Sequence, residues 1–160
     1  MMAEVNKQKL SVVVMAAFLI VPVIIFAFFI WRETTLDAVE TGVVDSTCDM
    51  HNAVCEARFN NGGRLQLSIN PRPIKPLTQL ELEVRLSNMD AQQVLVDFQG
   101  IGIDMGFYRP ELSRINDSFF SGQASLSVCT LDKMLWQATV IIKSDKGVMV
   151  APFRFEVEQP

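Results

Sequence analysis

Histidine is almost missing from this chain: His51 is the single one among 160 residues. Chemistry that needs an imidazole base therefore has one place to find it, within Cys48-Asp49-Met50-His51-Asn52-Ala53-Val54-Cys55. Other enzymatic signatures are missing too. No serine occupies a nucleophile-elbow pattern, and no glycine-rich phosphate loop follows a strand pattern. The expectation is a protein without catalytic activity. A basic surplus is also lacking. Residues 1–31 carry Lys7, Lys9 and Glu4 for net +1, whereas the remainder holds 12 basic and 17 acidic residues for net −5. Such a balance argues against nucleic acid or anionic lipid surfaces as partners, because phosphates are held by lysine and arginine. Internal repeats, low-complexity segments and amphipathic helices after residue 31 are all wanting.

Charge is absent altogether from residues 10–31, LSVVVMAAFLIVPVIIFAFFIW. A helix of that length reaches roughly 33 Å, enough for a ~30 Å hydrocarbon layer. Pro22 sits mid-stretch and would kink it, and Trp31 stands where an amphipathic ring meets headgroups. A cleaved signal peptide has a shorter apolar core and a small-x-small exit, neither of which is seen here. The expected layout is a cytoplasmic tail over 1–9, a transmembrane helix over 10–31, a juxtamembrane stalk over 32–47 and a periplasmic domain over 48–160. Lys7 and Lys9 ahead of the span, against Glu33, Asp37 and Glu40 behind it, put the N-terminus in the cytoplasm. The expected location is thus the bacterial inner membrane, single-pass.

Beyond residue 63 the hydrophobic period is two. Leu65, Leu67 and Ile69 alternate with polar residues, as do Leu80, Leu82, Val84 and Leu86. The same alternation runs through Val94–Phe98, 101–107, 124–128, 136–142 and 148–157. Asn60-Asn61-Gly62-Gly63, Asn116-Asp117-Ser118 and Asp145-Lys146-Gly147 are turn signals, because asparagine and glycine tolerate positive φ. Pro71, Pro73 and Pro76 bar a central strand there and indicate an edge or loop. About seven short strands at 10–15-residue spacing predict an all-β, immunoglobulin-like antiparallel β-sandwich, with a barrel as the alternative closure.

Three cysteines, Cys48, Cys55 and Cys129, lie after the apolar span. One reading pairs Cys48 with Cys55 in a local disulfide worth roughly 2–3 kcal/mol by chain entropy. Another converges Cys48, Met50, His51 and Cys55 on Cu(I), which favours thiolate, thioether and imidazole. Cys129 is left over. It reads as a buried small hydrophobe, as the partner of Cys48 or Cys55, or as a free thiol beside Met105. Met105 fits the inward series Ile101, Ile103, Met105 and otherwise packs in the core. The string Asp104-Met105-Gly106-Phe107-Tyr108-Arg109-Pro110 reads as a shaped loop at a strand end.

With these motifs, Pro71-Arg72-Pro73-Ile74, Val96-Asp97-Phe98-Gln99-Gly100-Ile101 and Leu126-Ser127-Val128-Cys129 followed by Trp136, the chain resembles a group of small proteobacterial inner-membrane proteins. That group is similar in layout to the YtkA-like and FixH-like families, with one N-terminal helix and a periplasmic immunoglobulin-like domain. The resemblance implies a role near copper handling or cytochrome oxidase assembly, with a membrane oxidase or another assembly factor as partner. It carries over Met105 and Cys129 as copper ligands, then His51 and Met50. The familiar His-x-Met pair departs here: Asp104-Met105-Gly106 has no matching upstream histidine. The rival expectation is a non-metal structural or interaction module that docks a partner through an edge strand or the proline-rich segment.

Overall fold

The computed structural model describes Val21, residues 39–102, Gly106, residues 108–127 and residues 132–158. The chain divides into two units, 1–37 and 38–160. The second holds ten strands: β1 (Val39–Thr41), β2 (Val43–Val44), β3 (Cys55–Arg58), β4 (Arg64–Asn70), β5 (Leu80–Ser87), β6 (Gln93–Gly100), β7 (Glu111–Asn116), β8 (Phe119–Ala124), β9 (Lys133–Ser144) and β10 (Gly147–Glu158). They form one sheet in the order β1-β10-β9-β6-β7-β8-β5-β4-β3-β2.

Alternation builds the barrel wall. Leu80, Leu82, Val84 and Leu86 of β5 point inward, as do Ala151, Phe153, Phe155 and Val157 of β10. Their neighbours Glu81, Glu156 and Glu158 face solvent. Phe98, Phe120 and Phe153 are among the largest fully buried side chains and belong to one continuous core. Removing a ring of that size from such a core costs about 3–5 kcal/mol.

The expected sandwich is corrected to a nearly closed ten-stranded barrel. The reason is β7. A sandwich keeps two sheets apart, but β7 pairs with β6 at Val94–Leu112 and with β8 at Ser113–Ser121. Arg114 on β7 reinforces the junction, donating to the Ala91 carbonyl and lying 5.0 Å from the Phe120 ring centroid. One strand therefore welds the two halves into a single sheet. Two expected strands also change. The one expected over 124–128 instead spans Phe119–Ala124, and β6 ends at Gly100.

The far seam, between β10 and β3, is closed by a short crossing segment. β1 runs parallel to β10, pairing Val39–Thr41 with Val148–Val150. One residue later β2 pairs antiparallel with Ala57 and Arg58 of β3. Gly42 makes the crossing: its N–H donates to the Val150 carbonyl at 2.8 Å. A Cβ there would sit 2.9 Å from the Phe59 ring, closer than van der Waals contact permits. Residues 39–44, within the stretch expected to be a stalk, thus fasten both borders of the sheet.

The placement behind a transmembrane helix, and with it the single-pass inner-membrane location, is likewise corrected. The described chain is this β-barrel, and among the described residues no helix is long and apolar enough to cross a membrane. The expected tail over 1–9 and the span over 10–31, apart from Val21, lie outside the described residues.

Candidate functional site

The two rims of the barrel differ. Short turns join strands at one rim, at Phe59–Gly63, Asn116–Phe119 and Ser144–Gly147. At the other rim the strand ends are joined by 48–54, 71–79, 101–110 and 125–132. The second, the loop rim, carries nearly all the sequence motifs. Long connections on a rigid frame are where binding residues concentrate.

Cys48 and Cys55 are joined by a disulfide, with Cα atoms 5.7 Å apart. Carboxylates shape the loop around it. Asp45 accepts from the Thr47 hydroxyl at 2.7 Å and the Thr47 N–H at 2.9 Å. Asp49 accepts from the His51 N–H at 2.9 Å and the Asn52 amide at 2.6 Å. These bonds hold both carboxyls below their ordinary value of 3.8, the Thr47 hydroxyl leading for Asp45 and the His51 N–H for Asp49. The turn drives Met50 inward, where it is 2 % exposed.

His51 ties three elements together. Its Nδ1 accepts from the Ile74 N–H at 3.1 Å, and its Nε2 lies 2.6 Å from the Glu156 carbonyl oxygen. An Nδ1 that accepts leaves the proton on Nε2, which therefore donates to Glu156. The ring meets Phe155 edge-on at 6.3 Å between centroids. The loop, the proline-rich connection and the end of β10 are thus pinned by one side chain.

The proline-rich connection forms the opposite wall. Cis peptide bonds occur at Asn70–Pro71 and Arg72–Pro73. Arg72 secures the turn, donating to the Ser68 hydroxyl at 3.1 Å and the Ile69 carbonyl at 3.3 Å. Ile74 is buried, while Leu77 is 70 % exposed with φ 55°. A leucine in that conformation is uncommon, and its N–H is held by the Leu126 carbonyl at 2.9 Å. Between the walls lies a groove of about 570 Å³, lined by Pro73, Pro76, Thr78 and Lys75 on one side and Glu156 and Glu158 on the other, with His51 and Ile74 between.

Electrostatically the β10 wall is acidic. Lys133 lies 2.8 Å from Glu158 and 3.3 Å from Glu156. Those partners raise the lysine, Glu158 first, and Lys133 lowers Glu158. Both side chains are largely exposed, so water screens the pair and exchanging one partner for another costs little.

Where β6 meets the 101–110 connection, Arg109 donates to Asp97 at 3.1 Å and Gln99 donates to its other oxygen at 2.9 Å. Asp97 is buried, so the bonds offset the desolvation of its carboxylate. The Arg-Pro string thus anchors its loop. The Trp136 indole N–H is buried and meets no acceptor among the described residues.

The copper reading that converges Cys48, Met50, His51 and Cys55 is corrected at this loop. The Cys48 and Cys55 sulfurs are consumed by their bond, both His51 nitrogens are engaged, and Met50 packs in the core. Among the described residues no group of three or more histidine, cysteine or acidic side chains could hold a metal ion. Met105 and Cys129 lie outside the described residues.

The alternation of Phe155 and Val157 already placed Glu156 and Glu158 on the outer face, but nothing local signals that they border a groove. Lys75, Leu77 and Lys133 gave no signal of their own.

No family model matches the sequence, and no curated protein matches it. Among solved structures, a crystal structure of an engineered protein, a Northeast Structural Genomics Consortium target, is similar over 59% of this chain at 15% identity and a TM-score of 0.39. The match spans 20% of that protein's own length, and a likeness this distant carries neither fold nor function.

Proposed function

We propose that the protein is a non-catalytic interaction module whose loop rim docks an extended, basic polypeptide segment in the groove between β10 and the proline-rich connection. The observation that carries this is the groove itself, in which Pro73, Ile74 and Pro76 face an acidic wall of Glu156 and Glu158. Leu77, between the lining residues Pro76 and Thr78, adds an apolar side chain that is 70 % exposed. Apolar anchors beside an exposed, exchangeable charged wall are what a peptide-binding surface needs.

Charge selects the partner's sign. Removing Lys7, Lys9, Arg32, Glu4, Glu33 and Asp37 from the totals leaves residues 39–160 with 11 basic and 15 acidic residues. A lysine or arginine of the partner replaces Lys133 against Glu158, while Pro73 and Pro76 take an apolar side chain. Photo-crosslinking groups at Lys75 and Leu77, with Asn61 at the turn rim as control, test the reading in the source cells. One discrete polypeptide adduct from both loop-rim positions, lost when Glu156 and Glu158 are changed to Gln, is the expected result. Equal labelling from Asn61, or adducts indifferent to the glutamines, would overturn it.

A further inference from the structure

We propose that the outward edge of β10 from Pro152 to Glu158 is a strand-acceptor surface for the same edge of a second copy of this chain, kept covered by the Cys48–Cys55 loop and uncovered when a dithiol reduces that disulfide. The proposal goes beyond the groove reading: the edge shares His51, Glu156 and Glu158 with the groove but uses none of residues 73–78.

The edge follows from register. The Gly42 N–H donates to the Val150 carbonyl, so Val150 directs its polar groups away from β9 and towards the seam. Alternation then turns Pro152, Arg154, Glu156 and Glu158 the same way. Pro152 fits this, because a proline on a sheet edge removes no ladder bond. β1 reaches only as far as Val150. Below it, the seam is covered by a loop rather than a strand. The Glu156 carbonyl is met by His51, and Met50 fills the space beneath. A cleft of about 270 Å³ remains between the loop and the edge, lined by Asp45, Cys48, Met50, Cys55, Pro152 and Arg154. The cover is therefore partial: the Cys48–Cys55 bond closes the loop, and His51 holds it to the Glu156 carbonyl.

Reduction is balanced as a thiol–disulfide exchange. A dithiol gives two electrons and two protons, the Cys48–Cys55 bond breaks, two thiols form, and the dithiol closes to its own disulfide. With the disulfide broken, Met50 and the His51 bonds are what hold the now open loop against β10 among the described residues.

Charge complementarity names the occupant. About a two-fold axis, antiparallel β10 edges in register set Arg154 opposite Glu156 of the second copy, and Glu156 opposite its Arg154. Opposite charges placed so favour pairing. Pro152 falls opposite Glu158 at the end of the ladder, where its missing N–H is least costly.

The test compares the full chain before and after a small dithiol, by sedimentation and by amide hydrogen exchange. The readout is the change on reduction, so any association indifferent to redox state cancels. The expected result is a doubling of sedimenting mass on reduction, and the same in Cys48→Ser/Cys55→Ser without reductant. Arg154→Glu abolishes the doubling and Arg154→Glu/Glu156→Arg restores it. At concentrations too low for pairing, the Arg154 and Glu158 amides exchange on the order of tenfold faster after reduction, while Phe153 and Phe155, bonded to β9, stay protected. No change in mass, a doubling indifferent to the charge swap, or exchange spreading through the whole barrel would each overturn the proposal.

Discussion

At the turn rim, the chain reverses within a few residues, and the cleft there is lined by Asn61, Asn88, Asp90, Asp117, Asp145 and Lys146. At the loop rim, long connections carry Met50, His51, the prolines and exposed Leu77. Both rims cap one core, yet their stability has different sources. A tight turn needs only local backbone geometry and residues that tolerate positive φ, such as Gly62 and Gly147. A long connection must be tied to distant elements. His51 bonds to a residue 105 positions away, and Leu77 to the segment after β8. The difference teaches that order at the loop rim depends on tertiary contacts, whereas order at the turn rim is largely local.

The strongest way to break this comparison is to empty the cover of the seam. Met50→Ala removes a fully buried thioether and should destabilise the domain by about 2–5 kcal/mol in urea unfolding, whereas Lys146→Ala at the turn rim should change it by less than about 0.5 kcal/mol. Equal effects would mean that the two rims do not differ as described. A smaller effect is expected at the crossing. Gly42→Ala forces a methyl group against the Phe59 ring and should cost about 1–3 kcal/mol, seen as a lower urea midpoint with an unchanged slope.

The smallest effect concerns protons. Asp45 and Asp49 are held below their ordinary value, so their contribution is fully present above 3.8 and fades as the pH falls through the lower folded values. On acidification below about pH 4, the Thr47 and His51 amides should therefore exchange faster. The Phe59 amide, bonded to the Gly63 carbonyl, should keep its protection over the same range. Loss at Phe59 first would reverse the expected order of the two rims.

Much of the wall was legible in the sequence. Strict alternation marked β4, β5, β6, β9 and β10, because each buries one face and a one-residue slip would expose it. β7 was not legible, since only Leu112 of its residues is buried and the rest carry no pattern. That omission is why a sandwich was expected: the strand that joins the halves is the one with the faintest signal. β1 and β2 were missed because three and two residues are too short to show a period. At the site, the Cys48–Cys55 pairing was legible from spacing. The role of His51 was not, because hydrogen bonds to Ile74 and Glu156 are tertiary facts. A histidine beside methionine and cysteines reads as a soft-metal ligand until its neighbours are known.

The crossing at residues 39–44 has a mechanical consequence. One short stretch grips β10 with its first half and β3 with its second, so a pull that peels away Val39–Thr41 also drags on Val43–Val44. Both margins of the wall are thereby released by a single rupture rather than two. Under tension the domain should give way at this latch as one abrupt event, with no half-open barrel along the way.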